Sequence, residues 1–281
     1  MSIDRGEVVV RLAPQLMAGA RRGVRTRGKS DPIDALAIAL AALREGVESL
    51  PTARLAGPER EIRMLALYRE RLLDRRTRLV NELRWQLHDL WPEWKIPAKA
   101  LTQPGWQTKV ASRLGRAEQT VQIAIARDMI RRARELSRAT KDLYDKIGAL
   151  VKAVAPQLLA EPGNGVLLAA KFIGEIAAID RFTTDAQLAR LAGCAPIPVS
   201  SGRTDRFRLD PGGNRRLNSA FYMRAIIRIR TDPRTAIYLQ RQRANGKSKK
   251  EAIRCLKRHL VRRVYHLLHN PPSVPTTICL T

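Results

Sequence analysis

A sustained apolar repeat over residues 58–155 constrains the fold of this 281-residue chain more than any other feature. Side chains that are apolar, with one threonine among them, recur at spacings of three and four residues in the second stretch and of three, four or seven in the first, which is typical of helices packed along a common seam. The first stretch carries Ile62, Leu65, Leu72, Leu79, Leu83, Leu87 and Leu90, and the second carries Met129, Ala133, Leu136, Thr140, Leu143, Ile147, Leu150 and Val154. The pattern predicts a long helical hairpin with a coiled-coil seam.

The region between the two stretches is rich in helix breakers. Pro92, Pro97, Pro104 and Gly105 mark it as the turn of the hairpin. The sequence leaves open whether the two arms pack on each other within one chain or serve as a dimerisation arm. Four tryptophans near the tip are predicted to close the hairpin end as core and, secondarily, to offer a contact surface to a partner: Trp85, Trp91, Trp94 and Trp106.

The hairpin divides the chain into further segments. Residues 1–57 hold a short β-rich run from Gly6 to Leu12, a basic linker, and a helix predicted from about Asp31 to Arg44. Residues 156–269 form a third segment, and residues 270–281 are predicted to be a disordered tail. The expected fold class is mainly α.

The charge balance points to a polyanionic partner. Lys and Arg number 52 against 26 Asp and Glu, a formal net charge of +26, and the isoelectric point is near 11.2. Residues 156–268 hold 22 of the cations and 8 of the anions, so they carry more than half of the excess. No apolar run approaches the roughly 20 residues of a bilayer span, and no signal peptide opens the chain, which favours nucleic acid over a membrane. Three widely spaced cysteines fit a reducing cytoplasm. Bacterial nucleoid proteins are equally basic, so a nucleoid-associated location is expected.

A serine-containing stretch between Ala192 and Leu217 carries the first candidate chemistry. Ser200-Ser201-Gly202 is followed by three arginines and by a Gly-Gly-Asn turn with two more: Arg203, Arg206, Arg208, Arg215 and Arg216. A hydroxyl in a glycine-loosened loop among guanidinium groups suits attack on a phosphodiester, because the arginines bind the non-bridging phosphate oxygens. A plain turn is the alternative interpretation, since serine and glycine are common in turns.

Two further motifs favour contact with nucleic acid. Gly163 and Gly165 lie in a Pro-Gly-Asn-Gly turn between apolar helical stretches, as in a helix-hairpin-helix element whose backbone N–H groups hold a phosphate. The final helix, predicted from Lys249 to Leu268, places cations outside its apolar face: Lys250, Arg254, Lys257 and Arg258. An ordinary tight turn and a solvated helix face are the respective alternatives.

Asp31 and Asp34 are the second chemical candidate. Their spacing of three places both carboxylates on one side of the first helical turn, close enough to share a divalent ion. The alternative is helix capping, because an acid, Pro32 and a second acid in the first turn also start a helix.

Several motifs occur in a characteristic order along the chain: GKSDPIDALAIA, AEPGNGVLLAAKFIGEIAAIDRF, the SSG…R…GGN…L stretch, and GKSKKEAIRCLKRHL. From about Glu7 to Leu268 the chain resembles the DEDD-type insertion-sequence transposases, which join a RuvC-like, RNase H-like N-terminal domain to a C-terminal transposase domain with an active serine. The resemblance implies a partial RNase H-like α/β element over residues 1–57, ahead of the hairpin.

The resemblance also implies a mechanism. Ser201 aligns with the serine of the family and would attack a DNA phosphodiester, forming a phosphoserine link, while Arg203, Arg206 and Arg208 neutralise the developing charge. Asp31 and Asp34 match the last two acids of the DEDD set and would hold Mg²⁺. The first two acids find no matching motif in this chain, and two carboxylates hold Mg²⁺ weakly.

The resemblance further implies partners, namely the DNA of the element ends and of the target, an element-encoded guide RNA, and further copies of the chain in a homo-oligomer. A different class of function is also open. An N-terminally truncated, catalytically inactive remnant would bind DNA without cleaving it. A third reading, a helix-hairpin-helix protein of DNA repair, explains the charge and the glycine turn but leaves the serine stretch unexplained.

Overall fold

The computed structural model describes residues 9, 10, 12, 17, 30–46, 56–201, 204–208 and 213–271, with residues 45, 198–201 and 204–208 described by their backbone alone. These residues form helices and one two-stranded ribbon. The elements are α1 (Asp31–Glu45), α2 (Pro58–Leu90), α3 (Pro104–Arg116), α4 (Val121–Val154), α5 (Pro156–Leu159), α6 (Val166–Ile176), α7 (Asp185–Leu191), β1 (Ile197–Ser201), β2 (Thr204–Arg208), α8 (Arg215–Thr231), α9 (Pro233–Ala244) and α10 (Lys249–His269), with single 3₁₀ turns at Ala100–Thr102 and Ile179–Arg181.

The mainly α fold class is confirmed. The chain forms two compact units, one of residues 61–175 and one of residues 1–60 with 176–281. The hairpin unit therefore includes α5 and most of α6. Of the expected 1–57 segment, the structure describes α1 and a few residues around it. The RNase H-like element and the domain limits at 57, 155 and 269 stay predictions. Residues 272–281 of the expected tail lie outside the described residues.

The two long helices of the first unit run antiparallel. Arg69 of α2 donates from Nε to the carbonyl oxygen of Thr140 in α4 at 3.0 Å, and Arg76 of α2 donates to Ser137 Oγ at 3.5 Å. Higher numbers in one helix pair with lower numbers in the other, which is the order of a hairpin. The predicted seam positions that are buried are Ile62, Leu72, Leu83, Leu87, Met129, Ala133, Thr140, Leu143 and Ile147. A coiled-coil supercoil stays a prediction.

The region between the two arms contains a helix that the prolines did not predict. Pro104 occupies the first turn of α3, where its missing N–H costs no hydrogen bond, so it starts a helix instead of breaking one. Val110 and Leu114 of α3 are fully buried in the core that α2 and α4 share. The turn region is thus a third layer of the hairpin end.

The tryptophans at this end have different environments. The Arg113 guanidinium lies 4.3 Å from the ring centre of Trp91 and 4.4 Å from that of Trp94, which are partly buried against the core. Trp85, by contrast, is 69% exposed, so the prediction that it closes the core is wrong.

The core of the second unit lies among α7, α8 and α10. Tyr265 of α10 donates its hydroxyl to the carbonyl oxygens of Phe182 and Thr183 at 3.2 and 3.0 Å. Fully buried side chains of this core include Leu188, Leu217, Phe221, Ala225, Val261 and Val264. This core is the platform from which the serine-containing stretch leaves and to which it returns.

Candidate functional site

The serine-containing stretch forms a β-ribbon. Strands β1 and β2 pair antiparallel, with Ser201 opposite Thr204 and Ile197 opposite Arg208. Gly202 and Arg203, between the two strands, lie outside the described residues. Two residues are the shortest common connection of antiparallel strands, and glycine suits such connections. Ser201 therefore ends its strand at the tip of the ribbon.

The register separates the two serines. Residues that alternate along a strand share a face, and directly opposed residues share it too. Ser201 occupies the same face of the ribbon as its partner Thr204 and as Arg206 and Arg208. Ser200 occupies the other face, opposite Asp205. The face of Ser201 thus carries two arginine positions, and the face of Ser200 carries an acidic one.

Both ends of this stretch meet at one point. A Cβ added to Gly213 would stand 2.2 Å from the backbone nitrogen of Gly193 and 2.4 Å from its Cα, so only glycine fits there. The backbone N–H of Asn214 donates to the carbonyl oxygen of Leu191 at 2.6 Å. We refer to Leu191–Gly193 together with Gly213–Asn214 as the ribbon stem. The stem ties the chain before β1 to the chain after β2.

Asn218 of α8 is hydrogen-bonded to the stem. Its side-chain amide donates to the carbonyl oxygens of Ala192 and Gly193 at 3.0 and 2.7 Å. Lys257 of α10 donates from Nζ to Asn218 Oδ1 at 2.7 Å. The amide of Asn218 donates to the stem and accepts from Lys257. It therefore connects the stem to a buried side chain of α10.

Lys257 corrects an expectation from the sequence. It is 5% exposed, so the prediction that it lies on a nucleic-acid-facing surface is wrong. Burial, chiefly, lowers its pKa, and the neighbouring Cys194 thiol acts against this shift. Burial raises the pKa of that thiol to about 11, and Lys257 opposes the rise. The sequence gives no indication that Asn218 and Cys194 contact Lys257, because these residues are distant from it along the chain.

The remaining cations of the final helix differ from one another. Lys250 and Arg254 are exposed, as expected. Arg258 donates to Asp185 Oδ2 at 2.7 Å, and Arg262 reaches the same oxygen at 3.0 Å. Hydrogen bonding from Arg258, followed by that from Arg262, holds the pKa of Asp185 down at about 2 against the effect of burial. Arg258 is therefore engaged within the fold.

The Gly-Gly-Asn turn starts α8. Asn214 caps the helix, its Oδ1 accepting from the N–H groups of Arg216 and Leu217 at 2.9 and 3.1 Å. Arg215 is exposed and Arg216 is half-buried in the first helical turn. Both follow the ribbon stem directly.

The two glycines of the Pro-Gly-Asn-Gly turn differ in how far their geometry requires glycine. Gly163 has φ +79°, a left-handed conformation that favours glycine. Gly165 precedes α6, and a Cβ there would meet nothing within 4 Å. Asn164 fixes the turn by donating its side-chain amide to the Leu158 carbonyl at 2.9 Å. Gly165 is exposed, and its carbonyl oxygen accepts from the N–H groups of Leu168 and Ala169 at 3.0 Å each.

Asp31 and Asp34 both lie in the first turn of α1, after the N-cap Ser30. Carboxylate oxygens suit Mg²⁺ in kind. Among the described residues, however, no group of three or more potential ligand side chains gathers around them or elsewhere. The pair alone therefore falls short of a two-metal site, which usually needs three or four carboxylates. Ser30, not Asp31, is the N-cap of α1, and the two acids lie in its first turn, where negative charge is favourable to the helix dipole.

Two family models match separate parts of the chain. The transposases of the IS116/IS110/IS902 family match residues 155–240, which include the glycine turn, the ribbon and its stem. A transposase model of the DEDD type from IS110 matches residues 3–92, which include Asp31 and Asp34. The chain belongs to the IS110/IS116/IS902 family of insertion-sequence transposases.

Similar proteins from three insertion elements extend this match. The uncharacterized 44.8 kDa protein of insertion element IS116 from Streptomyces clavuligerus is 29% identical over 312 aligned positions, covering 93% of this chain and 76% of that protein. The uncharacterized 43.6 kDa protein of IS110 from Streptomyces coelicolor is 35% identical, over 46% of this chain and 32% of its own length. The 42 kDa protein of IS900 from Mycobacterium paratuberculosis is 36% identical, over 40% and 29%. The match to the last two spans about a third of those relatives.

The hydropathy of the helices adds one finding. None of the helices in the described part of the chain combines the length and the apolar character that crossing a bilayer requires.

Proposed function

We propose that this chain catalyses DNA strand cleavage and rejoining during transposition, with Ser201 as the nucleophile. The observation that carries the proposal is the ribbon register, which assigns Ser201 to the tip and to the face of Arg206 and Arg208. The close packing of two glycine backbones in the stem also supports the proposal, because it gives the ribbon a fixed base.

The proposed chemistry is a phosphoryl transfer from a deoxyribose oxygen of DNA to the hydroxyl of Ser201. Ser201 Oγ attacks a backbone phosphorus of DNA, an O–P bond forms to the serine, and the bond to one deoxyribose oxygen breaks. The serine proton leaves with the released hydroxyl. Arg203, Arg206 and Arg208 would stabilise the charge on the non-bridging oxygens in the transition state. Attack by a second DNA end on the phosphoserine reverses these bond changes and rejoins the strands.

Membership of the DEDD transposases implies the use of divalent metal ions in general. Asp31 and Asp34 would supply two of the carboxylate ligands to Mg²⁺. A bound metal would supply electrophilic assistance at the phosphate. The residues of the ribbon would bind and orient the scissile phosphate.

The proposed partners are the DNA of the element ends and target, a guide RNA encoded by the element, and further copies of the chain. Arg215, Arg216, Gly163, Gly165, Lys250 and Arg254 are proposed as contacts to the phosphodiester backbone. The exposed positions of Arg215, Lys250 and Arg254 and the half-buried position of Arg216 suit this role.

A covalent adduct tests the proposal. The full chain is incubated with Mg²⁺, labelled duplexes that carry the ends of its own element, and RNA transcribed from the non-coding DNA beside its reading frame. We expect a denaturation-resistant protein–DNA adduct with the wild type and with Ser200→Ala, and no adduct with Ser201→Ala. Adduct formation by Ser201→Ala would exclude Ser201 as the nucleophile. Binding without any adduct would favour the inactive DNA-binding alternative.

A further inference from the structure

One face of helix α9 carries three residues that are exposed to solvent. Arg234, Ile237 and Arg241 are separated by three and four residues, which aligns them along one stripe of the helix. Both arginines are exposed, and Ile237 is 64% exposed. Beside the stripe the helix packs on its neighbour, because Thr235 is buried and the Tyr238 ring packs edge-on against His259 of α10 at 5.4 Å. The Arg241 guanidinium lies over the Tyr238 ring, 5.8 Å from its centre.

The surroundings of this stripe are strongly basic. Between residues 228 and 254 eight cations are exposed, namely Arg230, Arg234, Arg241, Arg243, Lys247, Lys249, Lys250 and Arg254. The same stretch has two acids, Asp232 and Glu251. In the described part of the chain, no carboxylate forms an ion pair with Arg234, Arg241 or Arg243.

Both acids are engaged in building the helices. Asp232 caps α9, accepting from Thr235 Oγ1 at 2.7 Å and from Arg228 Nε at 3.2 Å. Hydrogen bonds, chiefly the one from Arg228 and then the one from Thr235, lower the pKa of Asp232 to about 2. Glu251 accepts from the backbone N–H of Ser248 at 2.9 Å in the capping box of α10. Neither acid therefore offsets the charge on the outer stripe.

The connection from α9 to α10 is short and defined. Gly246 has φ +80° and donates its N–H to the carbonyl oxygen of Arg243 at 3.0 Å. Lys247 N–H donates to the Gln242 carbonyl at 3.2 Å. These bonds end α9 in the manner of a Schellman turn and fix the angle at which the outer stripe is presented.

We propose that α9 is a contact helix for double-stranded DNA, with Ile237 against the base edges and Arg234 and Arg241 against the phosphates on either side. Seven residues of helix separate the arginines by about 10 Å, which matches the roughly 12 Å major groove of B-form DNA. Apolar groups recognise thymine methyls in that groove, and guanidinium groups bind phosphate. The deep, narrow major groove of A-form RNA does not admit a helix.

This inference rests on the proposed function in that DNA is the partner, but it concerns residues outside the ribbon and its stem. Its test is therefore binding, measured in EDTA so that no strand is cleaved. Fluorescence anisotropy with a labelled 30-base-pair DNA duplex compares the full-length wild type with Ile237→Asp and with Arg234→Ala/Arg241→Ala over a range of salt concentrations.

Matched controls carry the same charge changes on the hairpin. Ile125→Asp replaces an isoleucine that is 47% exposed on α4, and Arg75→Ala/Arg78→Ala removes two exposed arginines from α2. We expect both α9 variants to bind at least tenfold more weakly, and both controls to bind as the wild type does. The double-arginine variant of α9 lowers the slope of log K against log salt by about 1.8, because each phosphate contact contributes about 0.9.

The outcomes separate the two proposals. Equal weakening by the α9 variants and their controls would mean that net charge, not α9, determines binding, and would overturn the inference. Unchanged binding by the α9 variants would also overturn it, while the proposed function stands. A wild type that binds no DNA would overturn both. A larger loss on an A-form RNA duplex than on DNA would replace the inference with an RNA contact. Melting temperatures within about 1 °C of the wild type confirm that the exposed substitutions leave the fold intact.

Discussion

Gly193 and Gly213 pack backbone against backbone, so closely that a Cβ on Gly213 would lie 2.2 Å from the nitrogen of Gly193. The two backbone segments cannot move apart without breaking the hydrogen bond from the Asn214 N–H to the Leu191 carbonyl oxygen. The stem therefore has little room for a side chain at Gly213. The predictions below follow from this contact and from the packing around it.

Gly213→Ala is expected to destabilise the protein by about 2 kcal/mol or more, because the new methyl group overlaps backbone atoms that cannot rotate away. Urea denaturation measures the change. Gly115→Ala is the control, since a Cβ at Gly115 in α3 meets nothing within 4 Å. That substitution is expected to stabilise the helix by about 0.5–1 kcal/mol. Similar behaviour of the two variants would mean that the stem is not closely packed.

Lys257→Met is expected to lower the free energy of unfolding by about 1–3 kcal/mol, because it leaves the Oδ1 of Asn218 without its donor. Lys250→Met, the same change at an exposed position, is expected to stay within about 0.5 kcal/mol of the wild type. In a double-mutant cycle with Asn218→Ala, the two losses are expected to be less than additive. Strict additivity would show that the two side chains do not interact.

Asp185→Asn is expected to reduce stability by about 0.5–1 kcal/mol at neutral pH. The folded-state pKa of Asp185 is depressed to about 2, chiefly by Arg258, while the unfolded value is about 4. The ionised carboxylate therefore stabilises the protein fully above about pH 4, and this contribution is lost as the pH falls through 2. Urea midpoints from pH 2 to 7 should show the gap between variant and wild type closing over that window. Asp145→Asn, on the exposed side of α4, should show a smaller gap.

Leu83→Ala is expected to cost about 2–5 kcal/mol, because the side chain is fully buried where α2, α3 and α4 meet. Met64→Ala on the same helix is the comparison, since Met64 is 58% exposed. Thermal unfolding should give a clearly lower midpoint for the first variant and a nearly unchanged midpoint for the second. A small effect at Leu83 would contradict the packing of α3 into the hairpin end.

The sequence was informative where one physical signal acted over many residues. The apolar spacing located α2 within a few residues and the end of α4, while α4 begins at Val121, ahead of the first predicted position Met129. Its positions Leu83 and Met129 are buried in the shared core. The signal failed at α3, because proline marks the first turn of a helix as well as the end of one.

Long-range partners limited the prediction of the candidate site. Lys257 looked like a surface cation because lysine is rarely buried, and its partner Asn218 lies 39 residues away. The ribbon around Ser201 was expected as a loop, since five-residue strands with mixed polarity have a weak pattern. The motif identified the serine stretch, but only the strand register distinguished the face of Ser201 from that of Ser200.

The ribbon stem has a consequence for how members of such a family can diverge. The chain departs for β1 and returns from β2 through the same pair of glycine backbones, so the stretch between them starts and ends at one place on the helical core. Changes in its length or residues alter what the tip presents while leaving the helical core unchanged. Exchanging residues 197–208 between relatives that keep both glycines should therefore transfer the properties of the tip as a cassette.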